Sequence, residues 1–163
     1  MKRLPALFFA LLAPLLLALG PPVRAEGLHH LQIQPARYDD AREALVDAIE
    51  TEGLVPAPPS QFGDMLARTG AALEQREPVY GQAEVLHFCS ARIAWQLALE
   101  NPANIAQCPL SMAIYTLAGR SGTVHLAWRQ AAGDSPGALA ANALLERIAR
   151  QTSENAGRSA LGR

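Results

Sequence analysis

Residues 84–116 read "EVLHFCSARIAWQLALENPANIAQCPLSMAIYT". Ala83–Cys89 alternates: Leu86 and Phe88 point one way, while Val85, His87 and Cys89 point the other, as side chains do along a strand. The alternation stops at the cysteine. Ser90 then stands where a helix cap belongs, and Ile93, Ala94, Leu97 and Ala98 recur at helical spacing over Ala91–Glu100. Asn101-Pro102 ends that helix. Leu110–Ala118 is rich in strand formers again. Strand, helix and strand in succession predict a crossover unit, parallel and right-handed.

The flanks add the remaining elements. Leu28–Gln34 reads as a short strand closed by Pro35. Tyr38–Glu52 is the clearest helix, with a stripe of Ala41, Leu45, Ala48 and Ile49, capping-box spacing at Asp40 and Glu43, and Gly53 just past its end. "LVPAPPS", with its three prolines, is extended, an edge strand or a linker. Phe62–Thr69 is a short helix stopped by Gly70. Thr123–Arg129 follows Leu110–Ala118 across a Gly119–Gly122 loop, a hairpin signal. Ser135 and Pro136 open a last helix whose buried stripe is Ala141, Leu144, Leu145 and Ile148. A polar tail from Ser153 to Arg163 is expected to fray. The sum is one α+β domain, 26–152: a mixed sheet of about four to five strands with helices packed on it, holding a βαβ crossover and a final hairpin.

The first 25 residues are expected to stand apart from this domain. A basic start, an apolar run from Leu4 to Gly20, Pro21-Pro22 and then Val23-Arg24-Ala25 make the pattern of a secretory signal peptide. Its removal from the 163 residues leaves 138, enough for one core. Lys2, Arg3 and Arg24 leave with it, so 14 basic residues become 11 against 15 acidic. A mildly acidic domain with scattered arginines and no lysine carries no footprint for nucleic acid. The expected location is periplasmic or secreted, with no stable membrane insertion once the signal is cleaved.

The stretch 84–116 also resembles the core of domain-of-unknown-function family 302. That family pairs a strand ending in cysteine, a helix, a proline-containing turn, and a second cysteine before a strand ending in tyrosine. Glu84–Cys89, Ala91–Leu99, Pro102, Cys108 and Ile114-Tyr115 fit this order, and "YDDAREALVDAIETEGL" is similar to the family's first helix. The resemblance spans about residues 28–130, most of a domain of this size. It implies a small α+β fold and carries no established activity. Ser90-Ala91 replaces the family's common Asn-Pro. Gln107 replaces a leucine, and Leu110 replaces a basic residue together with any anion contact that residue makes.

The chain has two cysteines, Cys89 and Cys108. An exported protein is free to form a disulfide. In a parallel crossover, however, the two would lie at opposite ends of the sheet, well beyond the ~7 Å limit on Cα separation. A bond therefore requires Asn101–Gln107 to climb back along the sheet. Two reduced, buried thiols fit the simple geometry better. A functional site is the third reading. His87 lies two residues from Cys89 on one strand face, where an imidazole lowers a thiol's pKa. The same pair can begin a soft-metal site completed by Met112 or His125. The plain alternative is a half-exposed His87 bonded to water. A tight hairpin places His125 opposite Tyr115, a polar pair expected on a surface. Glu74, Glu77 and Glu84 read as a solvated face, and Trp95 and Trp128 as core or rim.

No motif for nucleophilic hydrolysis, zinc proteolysis, phosphate binding or haem attachment occurs. The reading is a binding or accessory protein for a small ligand, a metal or a partner protein, with His87, Cys89, Cys108, Tyr115 and His125 as candidate site residues. It leaves the cofactor open and is compatible with a homodimer. The alternative is a thiol-based redox protein using Cys89 activated by His87.

Overall fold

The computed structural model describes residues 27–161; the expected signal peptide lies outside them. The elements are β1 (Leu28–Ile33), α1 (Tyr38–Thr51), α2 (Phe62–Thr69), β2 (Tyr80–Phe88), α3 (Ala91–Glu100), β3 (Leu110–Leu117), β4 (Val124–Arg129) and α4 (Pro136–Leu161), with 3₁₀ turns at Ala71–Leu73 and Pro102–Gln107. The domain is α+β, a four-stranded sheet in the order β1-β4-β3-β2.

Two helices supply most of the cover for one sheet face. The stripe Ala41, Leu45, Ala48 and Ile49 of α1 is fully buried, as are Ala141, Leu145 and Ile148 of α4. They pack against each other and over Ile33, Val124, Leu126, Met112, Ile114 and Leu86 in one core cluster. Burying an apolar side chain of this size contributes about 1.5–3 kcal/mol. α4 continues past the expected fraying point at Ser153: Thr152 is buried and bonds back to Ile148, and Ala156 is 1 % exposed. A small side chain every fourth residue keeps this last stretch seated, although it reads as polar.

The sheet differs from the mixed sheet expected. Every neighbouring pair is antiparallel, and β2 and β3 are direct partners, with Phe88 opposite Leu110 and Ala83 opposite Tyr115. The handedness rule applies only where a helix carries the chain to the far end of the sheet. Here α3 is 10 residues long. The segment Pro102–Gln107 then brings the chain back, held by the Asn104 side-chain amide donating to the Leu97 carbonyl at 3.0 Å. The excursion ends where it began, which makes β2 and β3 a hairpin with a helix in its loop. Cys89 and Cys108 consequently meet. Their Cα atoms are 6.4 Å apart and they form a disulfide. The pair of reduced, buried thiols is thus replaced by a bond, and Cys89 is exposed.

The proline-rich segment behaves as an edge. Ala57 N donates to His87 O at 2.8 Å, and Ser60 and Val85 exchange backbone hydrogen bonds at 2.9 and 3.0 Å. β2 is thereby closed to further pairing on part of its free edge. α2 follows and lies over the sheet face that the core does not use. Gly63 meets Ala83 so closely that a Cβ there would come within 3.1 Å of the Ala83 nitrogen.

Candidate functional site

Strand register lays out the open face as three rungs. The first carries Leu28, Arg129, Ser111 and His87; the second carries His30, Ala127, Ala113 and Val85; the third carries Gln32, His125, Tyr115 and Ala83. The middle rung is small and apolar. Alanine is a poor strand former, so paired alanines at the centre of a sheet leave a floor that larger residues would fill. α2 stands over the Ala83 end. Ala106, Gln107 and Pro109 rise beside the first rung. The result is a cleft of about 430 Å³ floored by Val85, Ala113 and Ala127.

Beyond the cleft, towards α2 on the same sheet face, runs a row of rings. Phe62 meets Tyr80 edge-on at 6.1 Å between centroids, and Tyr80 meets Tyr115 at 5.3 Å. Tyr115 then stacks on His125 at 4.8 Å and 9° between planes, and His125 stacks on His30 at 5.1 Å. His30 Nε2 and His125 Nδ1 are 3.0 Å apart, so one nitrogen donates and the other accepts. The pair can hold one proton between these atoms but not two. His125 is 7 % exposed, which corrects the surface position expected for it. Burial pushes its pKa below the usual imidazole value, and the charges of His30 and Arg120 push in the same direction. Burial likewise raises the Tyr115 phenol above its ordinary range.

The cleft itself has a polar wall. Arg129 is the one charged side chain lining the cleft, and no carboxylate among the described residues pairs with it. Gln107 spends its amide N–H on Asn104 Oδ1 at 2.8 Å. Its buried Oε1 has no hydrogen-bond partner.

The sequence-predicted site residues divide between two places. Tyr115 and His125 come together as expected. His87 is on the same face but two rungs away, its Nε2 3.3 Å from Ser60 Oγ. Cys89 and Cys108 are spent on each other. Met112 points into the core on the opposite face, fully buried. The metal set of His87, Cys89, Met112 and His125 is therefore not assembled. No group of three or more His, Cys, Asp or Glu among the described residues is placed to hold a metal. Glu84 is also not part of a solvated face, since Arg42 Nε donates to it at 2.6 Å. The sequence reading missed His30, Arg129 and Gln107 as partners of the site. The two strand residues had a signal, since His30 and Arg129 each fall in phase with a residue of the open face, but the register of β1 on β4 was needed to read it.

A second exposed feature lies near the disulfide. Trp95, Leu99 and Ile105 are 70 %, 78 % and 77 % exposed, and Trp95 and Ile105 flank a depression of about 390 Å³ between α3 and the 3₁₀ segment.

Among solved structures the chain is similar to a crystal structure of an uncharacterized conserved protein, DUF302, from Bacillus stearothermophilus. The two share 16 % identity with a TM-score of 0.52 over 82 % of this chain and 98 % of the other. The domain has a DUF302-like α+β fold. No protein-family model and no curated protein matches the chain.

Proposed function

We propose that this is an exported binding protein whose ligand seat is the open face of its sheet. The observation that carries the reading is the cleft itself: an apolar floor and a polar wall on the sheet face that α2 covers only at the Ala83 end, with a row of rings on the neighbouring rung. Small-molecule sites combine a mostly apolar concavity of about 300–1,000 Å³ with a few placed polar groups, and this cleft has both properties. The rest of the molecule is structural by comparison. The disulfide ties the end of the edge strand β2 to the start of its neighbour β3. His87 holds Ser60 and so the edge segment. A thiol-redox role for Cys89 with His87 has less support, because the imidazole is committed to Ser60 and the sulfur to Cys108.

The reading is tested by a chemical-shift screen. A library of small aromatic and aliphatic acids, amines and neutral compounds is titrated into protein labelled at alanine methyls and histidine rings. The expected result is at least one compound that shifts Ala113, Ala127 and His125 together. Compounds that bind only elsewhere, or none that bind, would sink it. Export is tested by fractionating cells and measuring the mature N-terminus; cleavage after Ala25 is expected.

A partner-binding role is favoured by a separate observation, the exposed Trp95, Leu99 and Ile105. Apolar side chains this exposed and this close together mark interaction surfaces more often than chance. If they dock a partner protein, Trp95→Ser should abolish a chemical crosslink that the wild-type protein forms in its own compartment.

A further inference from the structure

We propose that the open-face cleft selects a planar aromatic carboxylate that also carries a hydrogen-bond donor. This inference rests on the cleft being the ligand seat and names what sits in it.

Three features point to that chemistry. The first is shape. Ala113 and Ala127 are directly opposed on neighbouring strands, about 4.8 Å apart, so their methyls define a flat patch one ring wide. Register sets the rings next to that patch: His30 faces Ala127 across β1 and β4, and Tyr115 and His125 form the next rung. A flat aromatic body placed on the methyls meets these rings edge-on or offset, the arrangements that aromatic pairs prefer. A branched aliphatic body would cover the same floor with less contact.

The second is charge. Arg129 follows Ala127 by two residues on the same face, about 6.8 Å further along the strand. It is the one charge in the lining, and no carboxylate among the described residues neutralises it. A guanidinium offers a planar fork of donors that matches a carboxylate two bonds at a time. A cationic ligand would be repelled at this end, and a neutral one would leave the fork to water.

The third is an acceptor without a donor. Gln107 lines the same wall, and its Oε1 is buried there without a partner. Buried acceptors of this kind usually find a partner. A ligand hydroxyl or amine N–H reaching it would supply one. The ligand that uses all three features has an apolar ring system between an anionic head and a donor.

The experiment uses three probes of one shape, titrated into the purified protein and read at the Ala113 and Ala127 methyls. They are 6-hydroxy-2-naphthoate, 6-hydroxy-2-naphthamide and the cation 6-aminomethyl-2-naphthol. The carboxylate is expected to bind about tenfold or more tightly than the amide, as a charge-assisted fork against a neutral contact. The cation is expected to bind more weakly than either. Raising salt should shrink the carboxylate's advantage and the cation's disadvantage together, and leave the amide unchanged. In Arg129→Gln the preference should fall to about onefold. Arg129 is exposed and pairs with nothing among the described residues, so this variant keeps the fold. Ala113→Leu fills the floor and should abolish binding of all three; unchanged Ile114 and Leu126 methyl signals report that the core is intact. Equal affinity of carboxylate and amide would overturn the selectivity while leaving the cleft as a seat. Shifts confined to other residues, or a preference that survives Arg129→Gln, would overturn it as well. The wider reading fails separately, when no compound of the broader screen reaches these methyls.

Discussion

Glu100 shows how a single side chain joins two elements. It closes α3 and faces the first turn of α4, where it accepts from the Gly137 amide at 2.7 Å and the Ser135 hydroxyl at 2.6 Å. A carboxylate at a helix start satisfies orphan amides and complements the dipole. Gly137 leaves room for it: a Cβ there would stand 2.7 Å from Glu100 Oε2 and 3.0 Å from Leu97 Cδ2. On an open helix, replacing glycine with alanine stabilises by about 1 kcal/mol. Gly137→Ala is expected to do the reverse and cost about 1–2 kcal/mol, because it displaces the cap and crowds Leu97. A urea midpoint that rises in this variant would refute the argument. Ser135 and Pro136 were legible as a helix start because capping is local, and Ser135 Oγ does accept from Ala138 N. Glu100 was not, being 37 residues from the amide it caps. The capping box expected at Asp40 and Glu43 also failed. The helix starts at Tyr38 as expected, behind Arg37, so Asp40 falls inside its first turn and not at the cap position.

At the scale of elements, nearly every strand and helix was legible, and the direction of one strand was not. Period and caps locate β2, α3 and β3 closely, because those signals depend on neighbours along the chain. Whether β3 runs parallel or antiparallel to β2 depends on where Pro102–Gln107 delivers it. A few side-chain bonds decide that, such as Asn104 to Leu97. The disulfide is the covalent statement of the outcome. Intact mass after denaturing alkylation without reductant should show no label on either cysteine. Replacing both by serine opens a loop of 19 residues. It is expected to lower stability by about 3 kcal/mol, chiefly by freeing the unfolded chain. Equilibrium denaturation of the double variant measures this, and a loss below about 0.5 kcal/mol would mean that the unfolded chain gains little from the opened loop. The floor of the cleft should survive in this variant, since Val85, Ala113 and Ala127 lie on the sheet.

At the scale of the whole fold, the described residues form one sheet with its core helices on one face and only α2 on part of the other, and the site is what that more open face holds. Half of that site could be read from the hairpin, which fixes Tyr115 opposite His125 over a short loop. His30 could not, because it arrives from 95 residues away. Its arrival buries His125 and ties the site to the stability of the fold. The His125 pKa is lowered, by burial first and then by His30 and Arg120. The unfolded chain, with an imidazole near the ordinary value of about 6.5, therefore takes up a proton at a pH where the folded protein does not. Stability is then full above about pH 6.5 and declines as pH falls through the interval between the unfolded and folded values, at no more than about 1.4 kcal/mol per pH unit for one proton. A second acid-linked loss belongs to Glu52, whose carboxyl is held below its usual range chiefly by the hydrogen bond from Arg147 and shifts stability only in the more acidic carboxylate range. The two are separable. His125→Phe should flatten the stability profile between pH 5 and 7 and leave the acid limb, whereas Glu52→Gln should do the opposite. If the wild-type profile is already flat between pH 5 and 7, the imidazole takes up its proton at the same pH in both states, and burial does not hold it neutral in the folded protein.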